Sequence, residues 1–129
     1  MTGIEYLDLD DAIAIIRRLD IGPVRDLGLL DSAMNRARSS AFGEDAYPTL
    51  ALKAAALLHS LTNSHPLVDG NERLAWLCTV IFCDLNGFAP SLQDDAAFDL
   101  FWDVASSPIE LKEIALRLNL VATVHPDAG

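Results

Sequence analysis

Apolar residues recur along most of this chain at helical spacing, and the pattern divides it into six helical segments. "LDDAIAIIRRL" predicts a first helix over residues 8–19, with its leading aspartates where the helix dipole favours negative charge. Gly22 and Pro23 end it. "LLDSAMNRARSSA" sets Leu30, Ala33, Met34 and Ala37 on one face of a second helix, and the polar loop "AFGEDAYP" follows. Leu50, Ala54, Leu57, Leu58 and Leu61 fall at i, i+4, i+7, i+8 and i+11, which predicts a core-facing helix over 49–63. Leu74, Leu77, Cys78, Ile81, Phe82 and Leu85 repeat at i, i+3, i+4, i+7, i+8 and i+11. That helix is apolar on most sides, so it reads as the centre of a bundle, with "LNG" at 85–87 as its stop. Phe98, Phe101, Trp102 and Ala105 mark a fifth helix, and Leu111, Ile114, Ala115 and Leu118 a sixth. Only "IEYL" near the start reads as a strand, with residues 46–49 as its candidate partner, and the tail "HPDAG" reads as frayed.

The fold class is therefore all-α: one domain over residues 1–129, a compact bundle of about six helices around a central buried helix. The length of 129 residues and the 51% hydrophobic content are enough for a real core. With 19 acidic against 9 basic residues the net charge is −10, which argues against direct binding of nucleic acid or an anionic membrane. Cys78 and Cys83 lie five apart on one helix, more than about 100° apart around its axis, so they cannot pair with each other. Buried, reduced thiols suit a cytoplasmic protein. "MTGIEYLDLDD" lacks the apolar stretch of a secretion signal, and no run reaches the length of a membrane span.

Chemistry concentrates in "HPLVDGNER", His65 to Arg73, between the two most apolar helices. The first turn of the second helix has free backbone N–H groups at the positive end of its dipole, an anion site. Gly70 allows close approach of the backbone, Asn71 can donate from its amide, and Arg73 can fork onto phosphate oxygens. Asp69 is a hard oxygen ligand of the kind Mg²⁺ takes beside nucleotide phosphates. His65, at the rim, is the residue type suited to general base work. Base, metal ligand and anion cradle together describe transfer of a phosphorus-containing group to a hydroxyl. Plainer readings also fit: Asp69 and Glu72 have capping-box spacing, His65 before a proline can simply close a helix, and Arg73 can be a surface arginine. A metal set of His59, His65 and Asp69 lacks same-face helical spacing, and His125 lies in the tail.

The string resembles the signature of the Fic/Doc family, H-x-F-x-[D/E/N]-[G/A]-N-[G/K]-R, matching it at His65, Asp69, Gly70, Asn71 and Arg73. The stretch from about Gly28 to Gly87 is similar to the small Doc-type, death-on-curing toxins. The resemblance implies a helical protein that modifies protein hydroxyls with ATP and Mg²⁺. Doc-type members move the γ-phosphate onto a threonine of elongation factor Tu and arrest translation, whereas Fic enzymes usually transfer AMP. By position, His65 would deprotonate the target hydroxyl and Asp69 would hold Mg²⁺. Gly70, Asn71, residue 72 and Arg73 would cradle the phosphates. A separate, Phd-like antitoxin would be the partner, because no complete [S/T]-x-x-x-E-[G/N] inhibitory helix is present. "FGEDAYPTL" would be a flap for target docking, or only a connecting loop.

Three positions depart from the signature. Leu67 replaces the phenylalanine that anchors the loop, and Trp76 replaces a second arginine found in the extended Fic form. Glu72 stands where Fic enzymes have glycine and Doc-type toxins lysine. A carboxylate roughly 5 Å from a phosphate charge costs on the order of 3 kcal/mol at an effective dielectric near 20. Reduced activity is therefore expected, less so if Glu72 folds back as a cap. The alternatives are a catalytically silent partner-binding protein, which this glutamate favours, and an AMP transferase, which the missing glycine and Trp76 disfavour.

Overall fold

The computed structural model describes residues 3–123. It is an all-α bundle of six helices: α1 (Leu9–Leu19), α2 (Leu27–Asn35), α3 (Leu50–Ser64), α4 (Asn71–Leu85), α5 (Asp94–Ser106) and α6 (Leu111–Leu118). Two small antiparallel ribbons complete it, β1 (Ser40–Ala41) with β2 (Glu44–Asp45) and β3 (Phe88–Pro90) with β4 (Leu120–Ala122). Among the described residues, no helix is long and apolar enough to cross a membrane. The expected fraying of "HPDAG" and the position of His125 lie outside them.

Local sequence sets the helix starts. Asp8 and Asp11 form a capping box on α1, Asp11 N–H donating to Asp8 and Asp8 N–H to Asp11. Asp26 caps α2 by accepting from Leu29 N–H, and Thr49 caps α3 by accepting from Leu52 N–H.

The axis of the bundle is α3 rather than α4. Nine of its fifteen residues are buried, including the run Ala54, Ala55 and Ala56 at 0% exposure. Small side chains on several faces let α2, α4, α5 and α6 all close on it. The α2 face is buried as its spacing predicted, with Leu30, Ala33 and Met34 inside. The aromatic residues that marked α5 identify the helix but not its inner face. Leu100 and Val104 enter the core, while Phe98 and Trp102 stay exposed. Trp76 of α4 is half-buried, edge-on to Phe101 of α5 at 5.5 Å, so it acts here as packing.

Two expectations about extended structure are corrected. "IEYL" is not a strand: the Glu5 backbone is taken up by the Asn86 side chain, which donates to the Glu5 carbonyl and accepts from the Glu5 N–H, both at 2.9 Å, and the Leu7 carbonyl accepts from Arg38 Nη2 at 3.4 Å. Tyr6 then stacks on Phe82. "AFGEDAYP" is not a plain loop: β1 and β2 form a hairpin turning at Phe42 (φ 55°) and Gly43 (φ 81°). Two successive positive φ values match the twist of paired strands, and a glycine supplies one of them without strain. The second helix also stops sooner than predicted, passing into a 3₁₀ turn at Arg36–Arg38 before the hairpin.

Candidate functional site

The segment from His65 to Arg73 leaves the end of α3 and enters α4, and a second stretch of chain holds it in place. Residues 22–26 run antiparallel to it, with a bridge between Val24 and Leu67. Gly22 N–H donates to Asp69 O, Val68 N–H to Pro23 O, and Arg25 N–H to Pro66 O, at 3.0, 2.9 and 2.7 Å. Leu67 is buried in the core, so leucine fills the anchoring position. Asn71 closes the loop from within: its amide accepts from Leu67 N–H and donates to Leu67 O, both at 2.9 Å. In this structure that side chain positions the loop.

Gly70 is required twice over. Its φ is +92°, and an added Cβ would lie 2.7 Å from the Cβ of Ile21. The close approach is thus between loop backbone and Ile21, at the root of the supporting segment. His65 takes a left-handed conformation (φ 49°) at the C-cap of α3, uncommon for a side chain with a Cβ. Arg25 completes that turn, its Nε and Nη2 donating to the His65 carbonyl at 2.9 and 2.6 Å and Nη2 to the Ser64 carbonyl at 3.2 Å. A guanidinium on the last carbonyls of α3 also suits its negative dipole end. Arg25 and Ile21 carried no signal in the sequence, since neither belongs to a motif and their partners in the loop lie 39 or more residues away.

Held this way, the loop presents its side chains to one open pocket of about 390 Å³, lined by His65, Val68, Asp69, Gly70, Asn71, Glu72 and Arg73. All the site residues read from the sequence meet there. Asp69, Glu72 and Arg73 are exposed, and among the described residues none forms an ion pair or side-chain hydrogen bond. The capping box expected of Asp69 and Glu72 does not form. Gly70 is the N-cap of α4, and no side chain caps that end. Asp69 cannot shift into the cap position while its carbonyl is held by Gly22 N–H. The N–H groups of the first turn of α4 therefore remain available to an anion, and the Glu72 carboxylate lines the same pocket.

No group of three or more His, Cys, Asp or Glu that could hold a metal occurs among the described residues. His59 is not part of this pocket; its Nδ1 lies 2.9 Å from Arg36 Nη1. Cys78 and Cys83 are free and buried, and burial pushes both thiols up to about 12, which leaves them protonated and unreactive near neutrality.

The model of the Fic/DOC family matches residues 6–83. The chain belongs to the Fic/Doc family. It is 44% identical over 118 residues to Toxin Doc of Mycolicibacterium smegmatis (strain ATCC 700084 / mc(2)155), covering 88% of this chain and 91% of that one. The family match includes both halves of the site, the loop itself and the residue 21–26 segment that supports it.

Proposed function

We propose that this Fic/Doc protein is the toxin of a toxin–antitoxin pair, transferring the γ-phosphate of ATP to a protein hydroxyl in the cytoplasm, with elongation factor Tu as the first target to test. The supporting observation is the convergence of His65, Asp69, Arg73 and the uncapped start of α4 on one pocket. His65 takes the proton of the target hydroxyl as its oxygen bonds to the γ-phosphorus, the bond to the β-phosphate bridging oxygen breaks, and ADP leaves. Arg73 and the backbone N–H groups of α4 stabilise charge on the transferred group. Asn71 and Gly70 keep the cradle in register. Asp69, an exposed carboxylate with no ion pair, fits the requirement of Mg²⁺ for one or two carboxylates beside nucleotide phosphates, and when bound the ion supplies charge neutralisation there.

The Glu72 carboxylate opposes this chemistry, because no cap contact draws it away from the pocket. It acts as a brake on ATP binding and transfer, and the same observation favours a second reading, a silent protein whose task is to bind its partner. The expected partner is a Phd-like antitoxin.

Label transfer from ATP carrying γ- or α-label to purified elongation factor Tu, and to a bacterial lysate, separates these readings. The protein, Glu72→Lys and His65→Ala are compared. γ-Label is expected with Glu72→Lys, at least about tenfold above the parent, and none with His65→Ala. α-Label would establish AMP transfer instead. Absence of any label from folded Glu72→Lys protein would leave the partner-binding reading in its place.

A further inference from the structure

A second pocket, about 290 Å³, lies beside the first, separated from it by the last residues of α3. It is lined by Ser32, Asn35, Arg36, Ser39, Ser60 and Ser64, with Ala33 at its wall. Ser64 adjoins His65, and Ser39 leads directly into β1, so the pocket connects the root of the hairpin to the end of α3.

Among the described residues, Arg36 is its only basic lining residue. The side chain is half-buried and held by three neighbours: Nε donates to the Tyr47 hydroxyl at 3.0 Å, and Nη1 lies within 2.9 Å of His59 Nδ1 and donates to Ser60 Oγ at 3.0 Å. A guanidinium can only donate, so His59 Nδ1 accepts and the ring proton sits on Nε2. His59 is then neutral, in keeping with the lowering of its pKa by burial and by Arg36. Two of the five guanidinium N–H groups, those on Nη2, have no partner among the described residues. No carboxylate among the described residues pairs with Arg36 either, in a chain where acidic residues outnumber basic ones 19 to 9. The nearby carboxylate of Asp31 accepts instead from Asn35 Nδ2 at 3.0 Å.

We propose that this pocket is an oxyanion subsite for a single carboxylate, bound by the Nη2 edge of Arg36 and the surrounding serine hydroxyls, and that the carboxylate is the side chain of a polypeptide bound beside His65. One fixed positive charge with neutral hydroxyl donors matches a monoanion, whereas a dianionic phosphate would call for a second cation. The arginine is oriented in advance by Tyr47, His59 and Ser60, so little is lost in ordering it when the anion arrives. This site does not depend on the phosphate-transfer reading, because binding alone tests it.

The test follows the backbone N–H resonances of Ser39 and Ser64 in the ¹⁵N-labelled full chain at constant ionic strength. The probes are sodium acetate, inorganic phosphate, and a blocked pentapeptide with one central glutamate or glutamine. The glutamate peptide and acetate should shift both resonances saturably, with a Kd of roughly 1–10 mM for one charge-assisted pair, and the glutamine peptide should not. A peptide at least about tenfold tighter than acetate assigns the carboxylate to a polypeptide, and equal affinities assign it to a free small acid. Both shifts should vanish in Arg36→Gln. The Ser64 shift should also vanish in Ser39→Asp, an exposed position whose new carboxylate competes for Arg36 and whose folding does not rely on the arginine. Absence of a shift with either carboxylate, tighter binding of phosphate, or a Ser64 shift that persists in folded Ser39→Asp would overturn the assignment.

Discussion

Two connections flank α3, and they are built on opposite plans. The one after it, residues 65–71, is secured through backbone groups: the 22–26 segment, the Arg25 guanidinium and the Asn71 amide all bind main-chain atoms. The one before it, the 40–45 hairpin, is tied to the helix through a side chain, Lys53, which is 1% exposed and reaches Asp45 at 2.9 Å. Burial alone would lower the pKa of Lys53, but its hydrogen bond to Asp45, aided by Tyr6, more than compensates and raises it. A loop fixed largely by its backbone leaves the side chains of His65, Asp69, Glu72 and Arg73 facing the open pocket. A hairpin tied by one ion pair can tilt about that point while its tip, with Phe42 fully exposed, meets another surface.

The comparison breaks most directly at Gly70. Gly70→Ala puts a Cβ against Ile21 and a side chain at positive φ, and should cost about 2–4 kcal/mol in urea unfolding. A loss below about 1 kcal/mol would mean that the loop can move away from its support. Lys53→Met should cost about 1 kcal/mol, since a buried charge is replaced by packing and the exposed Asp45 can return to water. Its main effect should be local: exchange of the Ala46 amide, bonded to Ser39 O, speeds up at least about tenfold while those of Gly22 and Val68 do not change. Arg25→Gln should cost about 1 kcal/mol by uncovering the last carbonyls of α3, and should lower any transfer activity through misplacement of His65.

The smallest effect concerns pH. The pKa of His59 is lowered by burial first and by Arg36 second, so the folded state takes up that proton less readily than the unfolded chain. Its contribution to stability is complete above the ordinary value of 6.5 and is lost as pH falls below it. The melting temperature should therefore drop between about pH 7.5 and about pH 5.5, and His59→Gln should reduce that drop. An unchanged drop would place the acid sensitivity elsewhere.

Much of the site was legible because its chemistry is contiguous. Nine residues at the junction of two apolar helices carry the candidate base, the candidate metal ligand and the candidate anion cradle, and the two helices can be read from periodicity. What was not legible depends on partners distant in sequence. Asp69 and Glu72 match a capping box in spacing, but a hydrogen bond from Gly22 holds the Asp69 backbone and Gly70 becomes the cap. "IEYL" has the composition of a strand, yet Asn86, 81 residues beyond Glu5, satisfies the Glu5 backbone. Phe98 and Trp102 look like core residues, but Leu100 and Val104 already fill the space facing α3. The prominence of α3 was hidden by its alanines, which contribute little to a hydrophobic pattern and much to close approach.

The packing of α6 on α3 also bears on when this molecule becomes competent during its own synthesis. Ile114 and Leu118 are fully buried against a helix that ends at Ser64, so the central helix remains partly uncovered until α6 has left the ribosome. The residues of the candidate active site are made well before α6, but part of the core they rest on closes only when that helix packs. The candidate active site would thereby be completed only after a helix made well beyond it had docked.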